Sequence, residues 1–383
     1  MKKHIRSYEV KLVVVFLVSL AAYLAVAYFF HAPRGYYGTI ESPRFADPWL
    51  ARGETILNGG LLYRDVFTTT PPLTNFLFLP PVLVSQMFGH VNPWATLSFM
   101  VYFSIFNLLT AFVLLYMMDS RRVGFYTAVF FLLNPLTFGN SVLRRQDESV
   151  IVFFIAVALF FLLRRRHLAS SVSIGLAMLV KLTGAVVLPI AILHSRFNWR
   201  YFVFPLLVFF LVLSPFLALA GRDAMFWDVT QTDTEHPFQF GGVSLGALWN
   251  NFHDEAHSVP LSWPSWLFVI GVGVTAVFIT WKRFGVLEDI TILIAVVLML
   301  SPKLHTGYFS MLALTMVPLL QKYRLTAVYF LFGGLAIVAD FYKWPIENFP
   351  VAFWLMVAVI ILLTFTVARL VWPRRREIDV VTG

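Results

Sequence analysis

Cysteine is absent from this 383-residue chain, which removes disulfides and thiolate metal sites together and leaves its redox compartment unreadable. Charge is scarce: Asp, Glu, Lys and Arg make up 13% of the residues, about half of what a soluble domain carries. Nucleotide motifs are missing too. No P-loop, no G-x-G-x-x-G after a strand and no G-x-S-x-G elbow occurs, so nucleotide-driven chemistry has no support. Neither heptads, fixed-period repeats and low-complexity tracts nor an inverted repeat of the transporter kind is visible.

Apolar surface is present in excess. Hydrophobic residues reach 59%, against about 45–50% in soluble domains, more than a fold of this size can enclose. Lipid must cover the remainder. The net charge of +9 does not indicate nucleic acid, because the bases sit in short clusters at the ends of apolar runs, as cytoplasmic anchors beside anionic lipid do. The first run, Leu12 to Phe30, follows Lys2, Lys3, Arg6 and Lys11. At about 19 residues it exceeds the apolar core of a cleaved signal and reads as a retained signal-anchor helix.

Further apolar segments follow at 74–89, 95–118, 123–142, 149–163, 168–180, 183–194, 201–220, 265–281, 287–301, 308–320, 325–341 and 351–372. They predict an all-α, polytopic transmembrane protein of roughly 11–13 membrane segments, organised as a single domain over 1–383. Basic clusters prefer the cytoplasm. Placing all of them there puts both termini in the cytoplasm, makes 168–194 a hairpin of two short helices with Lys181 at its outer tip, and leaves loops 31–72 and 221–264 outside. Arg121-Arg122 inside leaves two alternatives open: 74–89 is a re-entrant piece, or 123–142, broken at Asn134-Pro135, is itself a short hairpin.

The first loop carries Glu41, then Asp47-Pro48-Trp49, and closes a short helix at Asn58-Gly59-Gly60. Asp47 suits an N-cap and Pro48 the first helical turn; Trp49, Leu50, Ile56 and Leu57 give the helix an apolar side for the membrane surface. Asp47 has two readings, as a helix cap only or as a general base whose pKa is raised beside the bilayer, with Glu41 as the substitute. Arg64-Asp65 fits a structural ion pair better than a site. Arg144-Arg145-Gln146-Asp147-Glu148 is either a polar turn or a place for phosphate or sugar. Lys181, alone in an apolar stretch, costs about 2.5–3.5 kcal/mol unless it snorkels or pairs with an anion. Lys303 and His305 can donate to a phosphate beside the amphipathic ring of Tyr308, or belong to a simple interfacial turn. His253 and His257 lack the H-E-x-x-H pattern and sit in a polar loop, which disfavours zinc.

In order along the chain, Gly59-Gly60-Leu61-Leu62-Tyr63-Arg64-Asp65-Val66-Phe67 with Pro71-Pro72-Leu73, then Gln146-Asp147, then Gly175-Leu176-Ala177 through Lys181 to Gly184, then Ser301-Pro302-Lys303-Leu304-His305 with Tyr308 form a pattern. It resembles the type C membrane glycosyltransferases, which include the dolichyl-phosphate-mannose mannosyltransferases. The resemblance spans roughly residues 10 to 320. It implies a cell-membrane enzyme that moves one sugar, of a mannose-like hexose kind, from a polyprenyl-phosphate donor to an acceptor hydroxyl on glycan, lipid or protein. Reaction would occur on the extracytoplasmic side, with inversion and without nucleic acid. Asp47 or Glu41 would be the base; Arg64, Asp65, Arg144, Arg145, Asp147, Lys181, Lys303, His305 and Tyr308 would hold substrate. Many relatives open the loop helix with an acidic pair, whereas this chain has Asp47 followed by proline. That departure leaves both the base and any need for a divalent metal open, and no cofactor is implied with certainty. A transporter or lipid-linked sugar flippase is the alternative.

Overall fold

The computed structural model describes residues 2–31, 48–66, 68, 70–90, 93–220, 243–245, 248, 262–302, 304–342 and 349–372. Among them the chain is all-α, as predicted. Four helices have the length and apolarity to cross a membrane: Ser7–Phe29, Trp94–Met117, Arg200–Ala220 and Pro350–Val371. Shorter apolar helices accompany them at Glu148–Leu163, His167–Val180, Leu182–His194, Trp266–Lys282 and Thr326–Tyr342. Large apolar side chains remain exposed along them, for example Leu211, Val277 and Ile361, as expected of a chain whose outer solvent is lipid. This is a multi-pass membrane protein. The backbone divides into two compact units, Met1–Leu132 with Phe138–Asp233, and Leu133–Thr137 with Thr234–Gly383.

The first unit contains α1 (Lys2–His31), α2 (Pro48–Leu57), α3 (Pro72–Leu77), α4 (Leu79–Met87), α5 (Trp94–Met117) and α6 (Arg121–Leu133). A π-helical turn at Gly139–Leu143 precedes α8 (Glu148–Leu163); the short α7 (Pro135–Phe138) before it falls mostly in the Leu133–Thr137 segment of the second unit. Then come α9 (His167–Val180), a 3-10 turn at Leu182–Val187, α10 (Leu188–His194) and α11 (Arg200–Ala220). Close approaches need small residues. A Cβ on Gly124 would lie 2.3 Å from Leu115 O, and one on Gly175 would lie 3.0 Å from Pro205 O, so α5–α6 and α9–α11 touch backbone to backbone there.

Helix α5 serves as a ruler for this unit. Its first residue, Trp94, stacks on Phe88 with ring centroids 5.0 Å apart. Near its other end Tyr116 hydrogen-bonds Glu9, accepts Arg164 Nη2 on its carbonyl at 2.9 Å and lies 3.8 Å below the Arg121 guanidinium. Between those ends, Phe78 packs on Phe99 and Phe103. Phe78, inside segment 72–90, thus lies within about 14 Å of the Trp94 end of a helix of about 36 Å, and Phe88 lies at that end. By contrast, Phe125 of α6 touches Tyr8 while Phe138 touches Phe16 and Tyr23. Phe125 and Phe138 thus meet α1 about two to four turns apart.

The hairpin expected over 168–194 is also visible. A Cβ on Gly184 would lie 2.6 Å from the Ala177 carbonyl carbon. Seven residues of straight helix would hold those positions about 10 Å apart, so the chain turns back at Lys181, whose extended backbone (φ −157°, ψ 133°) ends α9.

The second unit contains α12 (Ser262–Lys282), α13 (Val286–Leu300), α14 (Phe309–Met316), α15 (Leu320–Tyr323), α16 (Thr326–Tyr342) and α17 (Phe349–Val371). Asn134 Nδ2 donates to Tyr329 O at 3.0 Å, and its Oδ1 accepts from Leu136 N at 2.9 Å. Gly333 leaves the space that Asn134 occupies, since a Cβ there would lie 2.5 Å from its Oδ1.

Candidate active site

One group of polar residues in the first unit lies toward the Trp94 end of α5. Helix α2 lies there because Leu50 is buried, Gly53 faces Val82, and Trp49 packs against Phe78, Phe99 and Phe103 at 5.4 to 5.7 Å. Arg52 on α2 donates from Nη1 to Thr70 Oγ1 at 3.2 Å, and Tyr63 donates its hydroxyl to Thr70 O at 2.7 Å. Tyr63 takes a left-handed backbone, φ 72°, a conformation that a bulky residue adopts only when its surroundings insist. Burial pushes its phenol far above the ordinary value, with Arg52 pulling the other way, so it remains a hydrogen-bond donor at neutral pH. Thr74 Oγ1 hydrogen-bonds Val180 O, tying α3 to the last residue before Lys181.

Lys181 sits at the reversal between α9 and the 3-10 turn. Its Nζ lies 2.8 Å from Glu148 Oε1 and 3.4 Å from Asp147 Oδ1, and both carboxylates are buried. One ammonium thus faces two acids in an apolar surrounding, an arrangement that costs several kcal/mol of desolvation unless the partners stay in place. Burial raises the Asp147 carboxyl pKa while Lys181 opposes the rise. Among the described residues, buried Glu148 Oε2 has no hydrogen-bond partner. Just upstream, the π-helical turn hands over to Arg145 in a left-handed conformation, φ 50°, which aims its buried guanidinium at the rings of Trp49 and Phe99, 5.3 and 5.6 Å away. π-Helical turns of this kind often mark functional positions.

The residues singled out in the sequence fall into four places. Asp147 and Lys181 meet, while Arg145, over Trp49 and Phe99, and half-buried Arg144 precede Asp147 in the chain. Arg64 and Asp65 pair with each other at 2.9 Å on the surface; this hydrogen bond, with a second from Leu61 N, lowers the Asp65 pKa to about 2. His305 and Tyr308 belong to the second unit, rings 6.2 Å apart, in a turn where Leu304 O accepts from Val243 N at 2.7 Å and Pro302 O accepts from Ser244 Oγ at 2.7 Å. Asp47, Glu41 and Lys303, with His253 and His257, lie outside the described residues. Among the described residues no group of three or more His, Cys, Asp and Glu could hold a metal ion.

Two participants escaped the sequence reading. Arg52 carries no signal that separates it from a solvated helix charge; only α2's docking turns it toward Thr70. Glu148 was counted with the polar turn, yet it holds the shorter of the two contacts to Lys181. Its position as the first residue of an apolar helix was the available clue.

An all-α membrane protein with a cationic and acidic centre at one end of an apolar bundle has the build of a type C membrane glycosyltransferase. The family model described as "Glycosyltransferase family 87" matches residues 67–302, more than half of the chain. The chain belongs to that family, a group of membrane glycosyltransferases of type C that depend on polyprenyl-phosphate sugars. The matched region contains Arg144, Arg145, Asp147, Glu148 and Lys181, and it leaves out α2 and the His305 turn. A comparison with curated proteins gave no significant match.

Proposed function

We propose that this glycosyltransferase moves a single hexose from a polyprenyl-phosphate donor to an acceptor hydroxyl on the extracytoplasmic side, with inversion. The observation that carries the reading is the Lys181 centre: two buried acids, an ammonium and a guanidinium held at one end of an otherwise apolar bundle. A prenyl tail can rest in lipid while its phosphate meets Arg145 and Lys181. The opposite end, where Arg121 and Arg164 converge on Tyr116, is the cytoplasmic one in this reading, consistent with the preference of basic residues for that side.

The chemistry follows from the groups. Asp47, or Glu41 in its place, accepts the acceptor's hydroxyl proton as that oxygen bonds to the anomeric carbon. The bond from that carbon to the phosphate oxygen breaks, and its electron pair leaves on the phosphate. Positive side chains preorganised at the leaving oxygen stabilise the charge as it develops. Membership of a glycosyltransferase family weighs against the transporter alternative.

The test is to incubate purified protein with a panel of polyprenyl-phosphate sugars and acceptors, and to weigh the products by mass spectrometry. One donor is expected to be consumed, and Asp47→Asn should abolish turnover while donor binding persists. If every donor remains intact with the full set of acceptors, the reading fails.

A further inference from the structure

His90 joins two helices through both of its ring nitrogens. Its Nδ1 lies 2.9 Å from Ser85 Oγ on α4, and its Nε2 lies 2.9 Å from Glu54 Oε1 on α2. The ring is buried and Glu54 is half-buried, so this contact is not a loose surface pair. The backbone holds the ring in place as well. Helix α4 ends in a double closure, with His90 N donating to Ser85 O at 2.9 Å and Gly89 N donating to Gln86 O at 3.0 Å. Both residues are left-handed, φ 65° for Gly89 and 56° for His90. This pair of bonds caps a helix C-terminus and makes its last residue part of the rigid element. His90 is therefore a strut whose base is fixed to α4 by main chain and side chain, and whose tip grips α2.

What the tip grips matters for the site. Leu50, Gly53 and Glu54 share one face of α2 by their three- and four-residue spacing, and on that face Gly53 meets Val82 of α4 and Glu54 meets His90 at its end. Apolar contact of Gly53 with Val82 brings the helices together without fixing rotation. Glu54 adds a directional bond near the far end of the helix. Rotation of α2 sets where Trp49 lies beneath the Arg145 guanidinium and whether Arg52 meets Thr70. The same helix begins at Pro48, the residue after Asp47.

We infer that His90 and Glu54 are positioning residues for the transfer reaction, locking α2 in register with the Arg145–Lys181 centre. This rests on the proposed function for its kinetic consequence, while the structural claim stands apart from it. Small misplacement of aligned groups costs up to about a hundredfold in rate. Breaking the strut should accordingly reduce kcat by roughly tenfold to a hundredfold, with KM for the donor changed far less.

The absence of cysteine makes a clean probe available. Leu57→Cys at the exposed end of α2 takes a nitroxide label, whose mobility is read by electron paramagnetic resonance in the full-length protein. His90→Ala and Glu54→Ala should each loosen the label. His90→Gln, whose side-chain amide can donate to Glu54 in place of Nε2, should restore order and most of the turnover. Adding Glu54→Ala to His90→Ala should bring little further change, because the pair acts as a unit. Equal label mobility in the parent and Glu54→Ala proteins overturns the inference, whatever the enzyme assay shows. Should His90→Ala fail to fold, Glu54→Ala decides the matter alone. If no donor is turned over but the label loosens and His90→Gln restores it, the strut stands and only the function reading falls.

Discussion

Each unit of this protein contains a lysine–glutamate pair of the same length, and the two mean different things. Lys181–Glu148 and Lys322–Glu288 are both 2.8 Å apart, joining residues 33 and 34 positions distant. In the first, the glutamate side chain is 2% exposed, the lysine 23%, and Asp147 crowds the same ammonium. In the second the exposures are 10% and 46%, and Tyr323 donates its hydroxyl to Glu288 at 3.1 Å. Distance alone does not rank them. An ion pair withdrawn from water must be held by its surroundings, and a buried one is a poor way to gain stability, since apolar residues often do as well. The pair at Lys181 is thus the one whose presence calls for a role beyond stability, whereas Lys322 marks the end of a helix near other bases.

The sharpest way to break this contrast is to remove the ammonium of each pair. Lys181→Met strands two buried carboxylates and should cost about 3–5 kcal/mol, read as a large drop in the thermal unfolding midpoint in detergent. Turnover should vanish as well. Combining Lys181→Met with Glu148→Gln neutralises the closer partner and should recover much of the stability while transfer stays lost. Recovery of both would reduce the centre to a structural pair. For Lys322→Met, whose side chain is nearly half exposed and whose partner keeps the Tyr323 hydroxyl, we expect about 1 kcal/mol or less and unchanged turnover.

Geometry can be separated from charge at the same place. Gly184→Ala keeps every ionic group but forces a Cβ to within 2.6 Å of the Ala177 carbonyl carbon. Overpacking of this sort costs about 1–3 kcal/mol, an effect between those of the two lysine changes, and it should open the reversal that presents Lys181. Thermal unfolding and transfer should decline together; an unperturbed Gly184→Ala protein would mean the hairpin tolerates what its close approach forbids.

Much of this was legible beforehand because hydropathy and basic clusters are strong, local signals. Leu12–Phe30 fell inside α1, the hairpin over 168–194 was required by charge placement alone, and Lys181 stood out as a lone ammonium in apolar sequence. Depth was not legible. Segment 74–89 has the composition of a spanning helix, yet Pro71-Pro72 and the break at Phe78 let it fold as two short helices along part of α5. Nor does a sequence show which polar side chain faces inward. Arg52, Glu54 and His90 look like ordinary surface residues until α2 docks, because their partners lie 18 and 36 positions away or on another helix. The Asp47 and Lys303 expectations lie outside the described residues and rest on chemistry that only the transfer assay can test.

The surface pair Arg64–Asp65 extends the comparison to its dilute limit, with side chains 58% and 37% exposed. Hydrogen bonds from Arg64 and from Leu61 N favour the carboxylate, and the folded-state pKa falls from 3.8 to about 2. A depressed carboxyl pKa contributes stability that is present above the unfolded value and is lost as pH falls toward the folded one. The thermal midpoints of the parent and Asp65→Asn proteins should therefore differ by a small constant amount above about pH 5 and converge between about pH 4 and 2. Salt should shrink that difference, because both groups face water, while leaving the consequence of Lys181→Met largely intact. A salt response of equal size at both pairs would mean that Lys181 is as wet as Arg64, and burial could no longer be what sets the two apart.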